Sequence, residues 1–160
     1  MTFTTKIEDR YFEDYLPGAV HEFESIEARE SEMIDFARRF DPQPFHTDLV
    51  AAKESVFGGL IASGWHTVSL MMRLFVDHYL SHLASLSSPG VDKRRWLKPV
   101  RLGDMLSLRV TVSETKRSRS KPDRGIVHSY SEVLNQNGEI VMTMKAMNHL
   151  ARWEPMQPQV

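Results

Sequence analysis

The chain has two halves with different hydrophobic periods, and they predict helices first and strands afterwards. A weakly alternating stretch over 19–29 predicts a first strand, and apolar residues then recur at helical spacing as far as Phe40, where a helix is expected to end. A short helix follows over 47–53, before the break at Gly58-Gly59. The run over 61–80 is apolar nearly all round, so it predicts a long helix enclosed by other elements.

The second half has the period of strands. Turn residues separate four strand candidates, which cover residues 96–100, 105–112, 125–134 and 139–151. Asn137-Gly138 is a strong hairpin signal between the last two, because both residue types tolerate positive φ. The order of elements predicts an α+β fold in which a curved antiparallel sheet wraps a long central helix.

Length and composition narrow the class of protein. The 160 residues predict one domain over residues 1–160, with its core at about 17–153. The 20 Lys and Arg residues nearly balance 21 Asp and Glu residues, so no overall field favours nucleic acid or an anionic membrane. There is no cysteine and no other metal-ligand spacing, so no metal site is expected. The chain begins without an apolar leader and has no membrane-spanning run, which predicts a cytoplasmic protein.

The segment Asp41-Pro-Gln-Pro-Phe-His46 carries the candidate chemistry. A carboxylate and an imidazole lie five residues apart on a backbone that two prolines stiffen. Acid–base catalysis needs two titratable groups held at fixed positions about one water, and such a loop can hold them with little ordering cost. The alternative is structural: Asp41 ends one helix and His46 caps or packs at the next.

This segment and the chain after it resemble the MaoC-like family of hot-dog-fold enzymes, which includes R-specific enoyl-CoA hydratases. The family signature is similar to Gly-Asp-x-Asn-Pro-x-His-x-Asp followed by Phe-x-x-x-Ile-x-His-Gly. The matching residues are Asp41, Pro44, His46, Asp48, Phe57, Ile61 and Gly64. The chain departs from the signature at Phe40, Gln43 and Ser63, where the family has glycine, asparagine and histidine.

The resemblance implies hydration of a 2-enoyl thioester, or its reverse, by a hydro-lyase of fatty acid metabolism that needs no cofactor beyond the coenzyme A of the substrate. Asp41 and His46 would hold and activate one water, and the amide of Gly64 would meet the negative charge on the thioester oxygen. The first turn of a helix offers unpaired N–H groups for that purpose. The alternative for Ser63-Gly64 is a plain helix start with close packing.

Further residues are expected to contact an acyl-CoA or enoyl-CoA substrate. Ser63, Trp65, Val68 and Met72 are the substrate-binding candidates; the last three, with Phe75, could line an acyl tunnel or could simply be core. His66 could face the same cavity or be a core residue. Basic clusters over 93–101 and 116–124 could meet the phosphates of coenzyme A, although a solvated turn explains the second cluster better.

Two other functions fit the same sequence. An acyl-CoA thioesterase would direct the water onto the thioester carbon, and a non-catalytic acyl-CoA or lipid-binding module would use the loop only to shape a pocket. For all three, the exposed edge of a hot-dog sheet predicts a homodimer or a higher homo-oligomer.

Overall fold

A computed structural model describes residues 3–153 and contains one antiparallel sheet of five strands. The predicted domain over 1–160 also includes residues 1–2 and 154–160, which lie outside the described residues. The strands lie side by side in the order β1-β3-β4-β5-β2, so β1 and β2 form the two edges. The strands are β1 (Val20–Glu27), β2 (Ser85–Trp96), β3 (Met105–Arg117), β4 (Arg124–Leu134) and β5 (Ile140–Ala151).

Two short 3-10 helices, Ile7–Asp9 and Phe12–Asp14, precede β1, and the α-helices lie between β1 and β2 in the chain, as the periodicity predicts. They are α1 (Glu30–Phe40), α2 (Pro44–Thr47), α3 (Leu49–Glu54) and α4 (Gly64–Leu74), and a π-helical turn at Phe75–Tyr79 continues α4. Asp48 caps α3, because its carboxylate accepts hydrogen bonds from the amides of Val50 and Ala51. Within residues 3–153, no helix has both the length and the apolar character to cross a bilayer.

The central helix α4 packs its buried face against the sheet. Leu70, Met71 and Leu74 project from α4 into a core that the inward-facing residues of the strands complete. Their strand partners in that core include Leu106, Leu108, Val110, Val112, Val127, Val133, Val141 and Met142. The sheet and the enclosed helix confirm the predicted α+β arrangement.

The central helix begins later than the apolar run predicts. Residues 61–62 are extended instead of helical: the amide of Ala62 donates to the Val100 carbonyl at 2.9 Å, and Ile61 forms a bridge with Arg101. The backbone of residues 61–62 therefore pairs with residues 100–101 and not with a turn of helix. The helix starts only after Ser63, whose Oγ accepts a hydrogen bond from the Trp65 amide.

The strand predicted over 96–100 is wrong, because β2 ends where that prediction begins. The observed strand contains Pro89 and Gly90 and shows no alternation of polar and apolar residues, so its sequence does not indicate a strand. It forms because it is an edge strand that pairs with β5 alone, with several register shifts along the pair. The predicted hairpin is confirmed, since Gly138 has φ of 73° and its amide donates to the Asn135 carbonyl.

The segment before β1 closes the far end of the central helix. The Arg10 guanidinium donates to the carbonyls of His78 and Tyr79 at 2.7 and 3.1 Å. The Tyr15 hydroxyl also donates to the Tyr79 carbonyl and accepts from the Ser81 amide, each at 2.8 Å. Burial raises the pKa of Tyr15 to about 12, so the hydroxyl keeps the proton that it donates.

Tyr15→Phe is expected to destabilise the fold without leaving a cavity. The substitution leaves the buried Ser81 amide without its acceptor and removes one of the two donors to the Tyr79 carbonyl, which should lower the free energy of unfolding by about 1–3 kcal/mol. Urea denaturation measures the difference. Tyr130→Phe is the control, because the Tyr130 hydroxyl makes no hydrogen bond in the part of the chain that the structure describes. Equal midpoints for Tyr15→Phe and the unmodified protein would contradict this role.

Candidate active site

The loop between α1 and α3 brings a carboxylate and an imidazole together. Oδ2 of Asp41 lies 3.4 Å from Nε2 of His46. Asp41 follows the last residue of α1, and His46 lies in α2, which begins at Pro44. Proline at the first position of a helix loses no internal hydrogen bond, so it fixes the direction of this short turn at little cost. Both predicted acid–base residues therefore face the same point.

A backbone carbonyl fixes the tautomer of His46. Its Nδ1 lies 2.8 Å from the carbonyl oxygen of Ile61, which can only accept a hydrogen bond. The proton of the neutral ring is therefore on Nδ1, and Nε2 carries the lone pair on the side of Asp41. His46 is buried, with 6% of its surface exposed, so the ring is held in place by its surroundings. The arrangement leaves Nε2 able to accept a proton from a bound water.

Two side chains hold Asp41. Nε2 of Gln43 donates to Oδ1 and Oγ of Ser63 donates to Oδ2, each at 2.7 Å. The pKa of Asp41 is lowered, chiefly by the hydrogen bond from Gln43 and further by Ser63 and the nearby His46, while desolvation opposes them. The carboxylate is therefore ionised near neutral pH and both of its oxygens are oriented.

Gly64 begins α4 beside this pair. Nε1 of Trp96 donates to the Gly64 carbonyl at 3.0 Å, and the indole lies so close that a Cβ on Gly64 would be 2.5 Å from its Cε2. Only glycine fits under this ring. The Gly64 amide N–H has no hydrogen-bond acceptor within residues 3–153. It is therefore free to donate to a ligand, and the first turn of α4 adds a partial positive charge.

These groups line a cavity of about 430 Å³. Its polar groups come from Asp41, His46 and Gly64, with Thr67 and Lys98 in addition. The other lining residues are Phe45, Phe57, Ile61, Ala62, Trp65, Trp96, Leu97, Pro99 and Val100. The walls are thus mostly apolar and aromatic, as expected of a small-molecule site. In the described chain, no group of three or more His, Asp or Glu side chains is placed to hold a metal ion.

Of the four predicted substrate-binding residues, only one lines the cavity. Trp65 lines the cavity, whereas Ser63 is fully buried and holds Asp41 from behind. Val68 packs against the core, and Met72 is 43% exposed; neither lines the cavity. Only the first turn of α4 reaches the cavity, because the helix then turns its buried face to the sheet.

Phe75 and His66, which the sequence left as either cavity or core residues, are buried outside the cavity. Phe75 is 2% exposed and belongs to the hydrophobic core. His66 is buried against the ring of Phe36, with ring centroids 5.0 Å apart. Burial lowers the pKa of His66, which keeps the ring neutral in this apolar contact. Neither side chain lines the cavity with the Asp41–His46 pair.

Gln43 and Trp96 are the contributors that sequence reasoning missed. Gln43 is visible in the sequence only as a departure from the family signature, although its place two residues after Asp41 is within reach of that carboxylate. Trp96 contacts Gly64 from the end of β2, 32 residues further along the chain. No local pattern indicates a contact across that separation.

Gly64→Ala is expected to destabilise the protein through the Trp96 indole. The added methyl group has to displace the ring, at a cost of about 1–3 kcal/mol in the free energy of unfolding. In the Trp96→Ala background the same change should cost much less, because the obstacle is gone. Chemical denaturation of the two single variants and the double variant measures this coupling. Gly59→Ala is the control, since a Cβ there meets only Nη1 of Arg101, at 3.7 Å. An equal cost of Gly64→Ala in both backgrounds would refute the contact.

Ser63→Ala is expected to raise the pKa of Asp41, because one donor to the carboxylate is lost. Ionised Asp41 stabilises the fold above the ordinary Asp pKa of about 3.9, and this contribution is lost as the pH falls through the lowered folded-state pKa. Ser63→Ala should lose this stabilisation at a higher pH than the unmodified protein does. The carboxyl-carbon chemical shift of Asp41 measures the titration. Ser69→Ala, which removes only a hydrogen bond to the Trp65 carbonyl on the exposed side of α4, should leave the pKa unchanged. The same pKa in Ser63→Ala and the unmodified protein would count against this contact.

Comparison with known proteins identifies the family. Residues 14–133 match the model of the MaoC like domain. A MaoC-like dehydratase from Rhodospirillum rubrum is 38% identical, with a TM-score of 0.83 over 92% of this chain and 99% of that one.

Two further structures share the fold at lower identity. The R-hydratase PhaJ1 from Pseudomonas aeruginosa has a TM-score of 0.69 at 23% identity, over 94% of each chain. A double hot-dog protein from Mycobacterium tuberculosis has a TM-score of 0.73 at 14% identity, over 97% of this chain and 48% of that one. The fold is therefore the hot-dog fold, and the chain belongs to the MaoC-like family.

Proposed function

We propose that the protein is a hydro-lyase that adds water to a 2-enoyl thioester or removes it from the 3-hydroxyacyl product. The observation that carries this proposal is the Asp41–His46 pair, 3.4 Å apart in an apolar cavity beside the first turn of α4. The 38% identity to a protein described as a MaoC-like dehydratase supports it.

The pair can hold and activate one water. Nε2 of neutral His46 accepts one hydrogen of the water, and the Asp41 carboxylate accepts the other or stabilises the charge that forms on the ring. As the water oxygen bonds to the β-carbon, one of its O–H bonds breaks and the proton passes to the pair. The α-carbon then takes a proton from the pair, so the hydrated product contains one added water and the site returns to its starting state.

The negative charge of the reaction forms away from the pair, on the thioester oxygen. The unpartnered amide N–H of Gly64 is the donor that we assign to this oxygen. One pre-aimed donor of this kind contributes roughly 2.7–4 kcal/mol to stabilisation of the transition state. The field at the start of α4 has the correct sign for an enolate.

The walls of the cavity suit the acyl group of the substrate. Phe45, Phe57 and Trp65 give an apolar surface, and coenzyme A or an acyl carrier supplies the thioester without any additional cofactor. The predicted acyl tunnel along Val68 and Met72 forms no part of this proposal. The homodimer stays a prediction of the sequence.

Asp41→Asn and His46→Ala are expected to lower the rate of enoyl-CoA hydration by about a hundredfold to ten-thousandfold each, because each removes one partner of the water. Loss of enoyl absorbance measures the rate, and a thermal unfolding curve verifies that the variants are folded. Asp48→Asn is a matched control, since an amide oxygen can still cap α3, and His128→Ala controls for loss of a histidine elsewhere. Near-normal hydration by either site variant would remove the mechanism.

The same assay separates the other functions. Release of free thiol from the substrate would indicate a thioesterase, because hydrolysis cleaves the C–S bond and hydration does not. Saturable binding of acyl-CoA without turnover at several chain lengths would indicate a non-catalytic module. Either result in the unmodified protein would overturn the hydro-lyase proposal.

A further inference from the structure

Arg94, near the end of β2, packs against two indoles at the edge of the cavity. Its guanidinium carbon is 4.1 Å from the ring centroid of Trp65 and 4.6 Å from that of Trp96. Both tryptophans line the cavity, and they are 52% and 45% exposed, so they form its outer rim. The two indoles stand edge to face, with centroids 5.7 Å apart. We call Trp65, Arg94 and Trp96 the rim clamp.

The donors of Arg94 have no acceptor in the described chain. Within residues 3–153 its guanidinium makes no hydrogen bond and no ion pair, and its Nε is buried without a partner. Lys98, which lines the cavity, pairs with Glu139, and Arg101 donates to the Phe57 carbonyl. A half-buried guanidinium with unused donors is costly unless something pairs with it, because buried polar groups are normally hydrogen-bonded.

The contacts of Arg94 define what could pair with it. The two indoles, whose planes are 75° apart, pack against the guanidinium, whose N–H donors lie in its plane, at its edges. Such an edge matches a planar or tetrahedral oxyanion, to which arginine donates two parallel hydrogen bonds. The ring contacts also restrict the side chain before a ligand arrives, which reduces the ordering cost of binding.

We propose that the rim clamp binds a phosphate of the thioester carrier. This inference rests on the proposed function, because it takes the substrate to be a thioester of coenzyme A or of phosphopantetheine. The cavity of about 430 Å³ has apolar walls that suit an acyl group and not a phosphate. A phosphate-bearing carrier therefore leaves the cavity across its exposed rim, where Arg94 packs against both rim tryptophans with its donors unused.

Binding of free coenzyme A tests the rim clamp without any turnover. Isothermal titration calorimetry on the full chain should give a Kd that Arg94→Ala weakens roughly ten- to a hundredfold, as expected for loss of a charge-assisted pair. Arg94→Lys keeps the charge and loses the planar fork, so its Kd should lie in between. Arg119→Ala is the control for net charge; Arg119 is exposed in the β3–β4 turn, and its removal should change Kd by less than about twofold.

Phosphopantetheine and pantetheine, which are smaller than coenzyme A, show which phosphate of the carrier the rim clamp binds. If Arg94→Ala weakens phosphopantetheine as much as coenzyme A, the clamp binds the phosphate next to the pantetheine arm, which an acyl carrier also has. If only coenzyme A is weakened, the clamp binds the phosphates of its nucleotide end. Both results support the proposal. Pantetheine has no phosphate, so its affinity should be the same in the unmodified protein and in Arg94→Ala.

Three results would overturn the rim clamp. They are no measurable binding of coenzyme A by the unmodified protein, unchanged affinity in Arg94→Ala, and equal weakening of pantetheine. Thermal unfolding curves verify the fold, and Arg94→Gln replaces Arg94→Ala if the alanine variant does not fold. The two proposals can fail separately. If coenzyme A binding depends on Arg94 but the protein does not hydrate enoyl-CoA, only the hydro-lyase proposal is overturned. If the protein hydrates enoyl-CoA but coenzyme A binding does not depend on Arg94, only the rim-clamp proposal is overturned.

Discussion

The hydroxyl of Ser63 joins the central helix to the acid–base loop, and the rest of the site depends on that junction. The residue is fully buried; its Oγ donates to Asp41 and accepts from the amide of Trp65. One atom therefore caps α4 and orients the carboxylate. Because a buried hydroxyl without both partners would be costly, the start of the helix and the position of Asp41 are set together. This explains why the departure from the family signature at Ser63 is compatible with an intact pair.

The two ends of the central helix are fixed from different parts of the chain. At its start, Trp96 covers Gly64 from the edge strand β2, and at its far end Arg10 and Tyr15 hold the last carbonyls. The sheet clamps the middle of the helix through the core. The first turn of α4, with the Gly64 amide, is thereby held against the cavity, as the oxyanion donor that we propose requires.

The surroundings of Asp41 and His46 orient both side chains. Two donors hold the Asp41 carboxylate, and the Ile61 carbonyl accepts from Nδ1 of His46, which leaves Nε2 of the neutral ring as a proton acceptor. A proton acceptor therefore faces an anion across 3.4 Å, an arrangement that a shared water would satisfy. At the rim, Arg94 is a cation that packs against two indoles and makes no hydrogen bond within residues 3–153. The Asp41–His46 pair and the proposed carrier contact are thus separated by the aromatic wall of the cavity.

The sequence alone determined what local pattern encodes: the α+β order of elements, the buried helix, the hairpin at Asn137-Gly138, and a proline-braced loop that carries Asp41 and His46. Short spacings and periodic burial suffice for these features, because each depends on neighbours a few residues away. Tertiary structure decided the rest. Strand β2, with Pro89 and Gly90, forms only because β5 offers it an edge. The contact of Trp96 with Gly64 and the placement of Val68 and Met72 outside the cavity depend on how distant segments pack, and no local signal carries that information.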